Sequence, residues 1–317
     1  MIEQETKNTH KDAATGLGYG ITAYLIWGLF PVYFKALTSV PALQVVSHRI
    51  VWSVLFLLLI LGWRGKWSVV TEAFRDRRVV ILLISSALLI ATNWLVFIIA
   101  IGHSQVIQSS LGYFITPFVS VLLGVIFLKE RLSRLQIISL ILAAAGVVLL
   151  TVNYGPFPWV SLILAFTFGS YGLFRKVVTV DSITGLTVET LLLSPFALGY
   201  LVYVTLNGTG SFPGQILQTN VFLIFAGVAT SVPLLLFASA ARRLRLATIG
   251  FLQYITPTMH FLLAVLLYKE PFTMAHLTCF VLIWSGLCCY SYDAVQRMRA
   301  VQREKTGKAI RQATGVE

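Results

Sequence analysis

The sequence predicts an all-α polytopic membrane protein, with ten transmembrane helices arranged as two inverted five-helix repeats. Three observations predict it. The 317 residues are 57% apolar and 11% charged, with a mean hydropathy of +0.83, whereas a soluble domain carries about 25% charged residues. Ile115-Thr116-Pro117, an apolar helix and Lys129-Glu130 recur as Ile255-Thr256-Pro257, an apolar helix and Lys269-Glu270, at a constant offset of 140 residues. Between 114–146 and 254–286, 10 of 33 positions are identical without a gap. Finally, the copies differ in loop charge: the first continues Arg131 to Arg134, the second Pro271 to Met274.

Only helices and closed barrels satisfy the backbone in lipid, and apolar runs of about 20 residues are helices. A polar N-tail, 1–15, lacks a short cleavable apolar region and is read as cytoplasmic. The first repeat, 16–152, holds spans at 16–36, 43–62, 79–100, 106–128 and 135–152. The second, 158–292, holds spans at 158–176, 184–206, 221–240, 247–268 and 272–292. A basic C-tail, 293–317, follows as a cytoplasmic anchor for anionic lipid.

Orientation follows from lysine and arginine. With both termini cytoplasmic, the inner segments carry 21 of the 24 basic residues: two in the N-tail, five in 63–78, three in 129–134, Arg175 and Lys176, three in 242–245 and six in the C-tail. Five spans per half is an odd number, so the second half enters the membrane inverted. The loops agree: 63–78 has five basic residues and its partner 207–220 none, while 101–105 has none and 242–245 three. Trp27-Gly28 and Phe168-Gly169 match at offset 141.

The formal charge of +12 does not imply nucleic acid, because the basic residues sit in short loops and the tail. The three cysteines lie in the last apolar run without ligand spacing and read as packing residues. No phosphate-binding loop, zinc-protease motif or serine nucleophile elbow occurs. No cofactor or metal is expected, and the chain does not read as an enzyme. A membrane-embedded lipid or isoprenoid enzyme and a passive channel are the alternatives. The partners expected are a small-molecule substrate and membrane lipid, with spans five and ten left to pack or to form a homodimer.

Pro117 and Pro257 sit at the middle of spans four and nine. Proline removes an amide and clashes with the carbonyl one turn back, and helices interrupted at matching depths point to the substrate site of an inverted-repeat transporter. A packing kink is the plainer explanation. Helical spacing adds polar stripes: Gln108, Gly112, Thr116 and Ser120 with Ser109 and Tyr113 beside them on span four, and Gln253, Thr256, Pro257 and His260 on span nine, where Tyr254 is a further cavity candidate. His48 and Arg49 lie inside span two, where Arg49 suits a carboxylate or phosphate and His48 a proton. The alternatives are snorkelling for Arg49 and a structural hydrogen bond for His48. Glu189, inside span seven, is the other proton-coupling candidate, against a role in tying helices together. Trp27, Tyr33, Asn93, Trp94 and Tyr171 complete the expected cavity, since aromatic faces hold flat or cationic solutes.

These residues resemble a known family. The AYLIWGLFPVYFK run at 23–35, Ser47-His48-Arg49, Asn93-Trp94, the LGYFITP run at 111–117, Glu189, Gln253 to Pro257 and Lys269-Glu270 are similar to those of EamA-type permeases. These belong to the drug/metabolite transporter superfamily, here in its RarD group, which carries the label chloramphenicol-sensitive protein. The resemblance spans nearly the whole chain. It implies ten helices in paired EamA repeats, a bacterial inner membrane and export of small metabolites or drugs by alternating access.

Overall fold

The computed structural model describes residues 2–65, 67–102, 106–154, 159–214 and 216–267, with 274, 277–278, 281–293 and 296 beyond them. Among the described residues every regular element is helical. α1 (Ile2–Gly28) and α2 (Phe30–Lys35) form the first span region. Pro31 separates them, because it cannot donate to the Trp27 carbonyl one turn back. The chain tightens there, with Leu29 N–H on the Ile26 carbonyl at 3.1 Å.

α3 (Ala42–Arg64) ends on Gly65, whose φ of 62° is the left-handed cap that glycine adopts without strain. The segment 63–78, expected as loop, contains a short helix, α4 (Trp67–Arg75), which buries Val70 and Ala73. Asp76 then caps α5 (Arg77–Gly102), accepting from the amides of Arg78 and Val79 at 2.9 and 3.2 Å. α6 (Val106–Leu128) leads to α7 (Arg134–Tyr154), which opens with a reciprocal capping box between Ser133 and Gln136.

α8 (Trp159–Val177) is followed by α9 (Ser182–Leu206), capped by Asp181 on the Thr184 amide. α10 (Leu217–Arg243) ends where the Lys176 ammonium takes the carbonyls of Ala241 and Leu244, as a cation suits a helix C-terminus. α11 (Leu246–Leu252) and α12 (Ile255–Leu262) make up span nine and run into a π-helical turn, Leu263–Leu267.

The two central prolines behave differently. Pro117 sits within an α6 that continues on both sides. Span nine breaks between α11 and α12, where the Gln253 carbonyl that Pro257 cannot serve accepts from Thr256 N–H at 3.1 Å.

Among the described residues six helices are long and apolar enough to cross a membrane: Asp12–Lys35, Ala42–Arg64, Arg77–Ala100, Trp159–Val177, Ser182–Leu206 and Leu217–Arg243. Two shorter apolar stretches, Gly112–Leu128 and Arg134–Leu149, accompany them.

The chain divides into two compact units. The smaller holds α7 and the helical residues 281–293, and within it Gly286 lies so near Ser139 that an added Cβ would sit 2.7 Å from the Ser139 carbonyl oxygen. The larger holds all the other helices.

Within the larger unit the two halves interleave. α1 packs on α10 and α12, and its counterpart α8 packs on α5 and α6. Equivalent residues make equivalent contacts: a Cβ on Gly28 would lie 2.6 Å from Met259 Cβ, and one on Gly169 2.7 Å from Val119 Cγ1. Trp27 and Phe168, themselves equivalent, meet edge to face at 5.4 Å.

α3 and α10 pack tightly at Gly227, where a Cβ would run into the Trp52 backbone. Gly227→Ala is therefore expected to lower stability by about 1–3 kcal/mol, read as a fall in the thermal midpoint in detergent. Gly18→Ala, with nothing near its Cβ, is expected to leave the midpoint unchanged.

Candidate functional site

Polar groups of the larger unit converge on a narrow, mostly aromatic chamber. Its walls come from both halves of the chain: Trp27 on α1, Phe34 on α2, Arg49 on α3, Asn93, Trp94 and Phe97 on α5, Tyr113 on α6, Phe168 on α8, and Gln253, Thr256 and His260 around the break in span nine. Its open space is about 50 Å³. A single water needs roughly 10–15 Å³ by the same measure, so a larger solute enters only if the aromatic walls move.

Arg49 dominates this chamber. It is 4% exposed. Its Nε donates to Thr230 Oγ1 of α10 at 2.9 Å. Its guanidinium carbon lies 4.6 Å from the ring centre of Trp94 and 5.3 Å from that of Phe34. Among the described residues no carboxylate lies within ion-pair distance of it; the groups it interacts with electrostatically are Tyr33 and Tyr113. Burying a charge without a counter-charge costs several kcal/mol, and desolvated aromatic faces offset about 2 kcal/mol of that.

The break at Pro31 supplies a second polar feature. The Trp27 carbonyl freed by that proline meets His260 Nε2 at 3.2 Å. A carbonyl only accepts, so this nitrogen carries the hydrogen. Tyr113 packs edge-on to the same imidazole at 5.5 Å. Asn93 Nδ2 donates to the Leu164 carbonyl and to Thr167 Oγ1, both at 2.9 Å. Gln253 Oε1 is buried without a hydrogen-bond partner.

Of the expected cavity residues, Trp27, Arg49, Asn93, Trp94, Tyr113, Gln253, Thr256 and His260 line the chamber. Tyr33 lies beside it and donates to the Phe222 carbonyl at 2.6 Å. Thr116, Pro117, Tyr254 and Pro257 are buried but are not among its lining residues. Thr116 Oγ1 bonds the Gly112 carbonyl, and Pro117 lies against Gly250. Gln108 lies outside the residues whose side chains are described.

His48 and Arg49 part company, as neighbours about 100° apart on a helix do. His48 is buried under Phe212, ring centres 5.2 Å apart. Beside it Gln44 bonds the Thr209 carbonyl and the Ser211 amide at 2.9 and 2.8 Å. The cavity at His48 is larger, about 290 Å³, but its walls are mostly Leu, Val, Trp and Phe. Size and chemistry therefore point to different places, and the convergent polar groups mark the chamber at Arg49 as the candidate binding site.

Glu189 and Tyr171 belong to a separate buried cluster. Glu189 pairs with Arg175 at 3.2 Å, and the two are 1% and 0% exposed. Ser86 Oγ donates to Glu189 Oε1 at 2.5 Å and Tyr171 to Oε2 at 3.4 Å. Arg175 also reaches the Ser182 carbonyl at 3.2 Å. Its head lies directly against Gly185, where a side chain would collide with it.

Sequence reasoning placed Arg175 in a cytoplasmic segment. The available signal was Glu189 itself, since a carboxylate inside an apolar helix requires a partner. Tyr171 and Arg175, four apart, share a helix face. Thr230, the anchor of Arg49, carries no such signal.

The family model for the EamA-like transporter family matches the sequence twice, at 14–152 and 158–292. The chain belongs to the EamA family. Among its relatives, an uncharacterized transporter of Vibrio cholerae is 43% identical over 295 residues, covering 93% of this chain and 98% of its own. The uncharacterized transporter YojE of Bacillus subtilis is 41% identical over 92% of this chain and 98% of its own. Protein RarD of Escherichia coli is 40% identical over 92% and 99%. A solved crystal structure superposes with a TM-score of 0.68 over 89% of this chain and 98% of its own; at 18% identity it speaks for the fold alone.

This EamA protein is therefore a RarD-like membrane permease of bacterial type, all-helical and with a doubled family unit. Its family and its relatives' names set it among transporters of small molecules rather than enzymes.

Proposed function

We propose that this EamA protein is a secondary active exporter of small metabolites or drugs, working by alternating access across the bacterial inner membrane. One observation carries the reading: a narrow aromatic pocket, walled by both repeats, holds a buried arginine that has no counter-charge among the described residues. In this reading the chain crosses the membrane ten times. α1–α2 and α11–α12 each count as one crossing, and 272–292 forms the last. Both termini are cytoplasmic, and the second repeat is inverted. The switching loop charges and the matched contacts of Gly28 and Gly169 support an axis in the membrane plane. α7 and the last span pack or meet a second copy.

Alternating access is then a rocking of one repeat against the other, which opens the chamber to each side in turn. Proton coupling resides in the Glu189 cluster. Protonating the carboxylate removes the charge that holds Arg175, and this loosens the tie between α8, α9 and α5. His48, under Phe212, is the second proton-coupling candidate.

Counterflow into proteoliposomes tests the reading. A carrier drives transient accumulation of labelled solute above equilibrium, whereas a channel only equilibrates it; equilibration without overshoot contradicts the proposal. Glu189→Gln is expected to keep counterflow but to lose acceleration by an imposed pH gradient. Unchanged acceleration removes Glu189 from coupling. A cysteine replacing Ala313 in the C-tail is expected to react with an impermeant maleimide only from the cytoplasmic face.

A further inference from the structure

We propose that the chamber selects a small organic monoanion: a single carboxylate on a flat aromatic or apolar body. The assignment deepens the transporter reading and rests on it. It follows from counting the groups that face the chamber.

Among the described lining residues Arg49 carries the one permanent charge. Its Nε is held by Thr230, so the edge carrying its two terminal nitrogens is left for a ligand. That edge matches a carboxylate with two parallel hydrogen bonds. Among the described residues no aspartate or glutamate lines the chamber, so a cation would meet Arg49 with none of them to neutralise it. A zwitterion's ammonium would likewise find no carboxylate. A dianionic phosphate ester would bring a second negative charge with no second cation to match. One carboxylate balances the site.

The remaining walls describe the rest of the ligand. The ring centres of Phe30, Phe34 and Trp94 lie within 6.0 Å of the guanidinium carbon, and Trp27, Phe97, Tyr113 and Phe168 line the same chamber; ring faces and edges favour a flat apolar body. The Gln253 amide is 2% exposed and its oxygen lacks a partner, which leaves one further hydrogen bond for a polar substituent. The ligand also supplies the counter-charge that Arg49 lacks, so binding favours the anion over its neutral amide.

Benzoate, benzamide and benzylamine test this, being alike in shape and differing in charge. The readout is the thermal midpoint of the purified full-length protein in detergent at neutral pH. Benzoate is expected to raise the midpoint saturably, and benzamide and benzylamine little. Arg49→Gln is expected to weaken the benzoate response about tenfold or more, the loss of a charge-assisted pair. Arg49→Lys should recover part of it. Should Arg49→Gln not yield folded protein, Thr230→Val, which frees the guanidinium from its anchor, is expected to weaken the same response.

No benzoate response, a larger response to benzylamine, or a benzoate response untouched by all three variants overturns the proposal. Counterflow separates it from the transporter reading. Arg49-dependent benzoate binding without counterflow leaves the ligand class standing and contradicts transport. Counterflow of benzylamine alone keeps transport and overturns the ligand class.

Discussion

Arg175→Ala is expected to destabilise the folded protein by about 3–5 kcal/mol, because it leaves the Glu189 carboxylate buried without its cation. The pair is fully enclosed, and the carboxylate's other contacts are the hydroxyls of Ser86 and Tyr171. These hydroxyls donate hydrogen bonds but bring no positive charge. Glu189→Ala should cost a similar amount by stranding Arg175, whose Nε already lacks a partner. The double replacement Arg175→Met with Glu189→Leu is expected to recover most of the loss, since an apolar pair of similar volume avoids the desolvation of two ions. Denaturant unfolding of the single and double variants measures this. Losses that simply add would mean the two residues act independently, against the 3.2 Å pairing.

The second large effect concerns transport. Arg49→Gln is expected to lower the initial rate of counterflow by about 10- to 100-fold, the equivalent of a charge-assisted hydrogen-bonded anchor worth about 1.5–3 kcal/mol. Its effect on stability should run the other way, because the variant removes a buried cation that has no counter-charge among the described residues. Lost function with kept or raised stability is the signature of a residue held for its ligand. A residue that only ties helices together would lose both.

Much of this was legible in the sequence because lipid leaves few choices. A run of apolar residues must be helical, and a duplicated Thr-Pro and Lys-Glu pattern can be aligned by eye. Arg49 was legible because a cation among apolar neighbours has few reasons to be there. The Asn93-Trp94 pair and Gln253, Thr256 and His260 of the span-nine stripe reached the chamber with it.

Other features depend on contacts between segments far apart in the chain. Arg175 reads as one more basic residue at the end of a helix until α9 brings Glu189 against it. His48 adjoins Arg49 in the same apolar span, yet one step of helical rotation sends it beneath Phe212. The prolines misled in detail. Pro117 leaves α6 continuous, whereas Pro31 splits the first span and frees the carbonyl that His260 takes. A proline's effect depends on whether a neighbouring group replaces the lost donor, and sequence spacing does not show that.

The central claim is that the chamber around Arg49 is the site opened in turn to each side of the membrane. Phe97 lines it. Phe97→Cys, in a protein whose Cys279, Cys288 and Cys289 are replaced by serine, can be treated with a membrane-impermeant maleimide in right-side-out and in inverted vesicles. The account predicts labelling from both faces. Labelling from one face alone would contradict it.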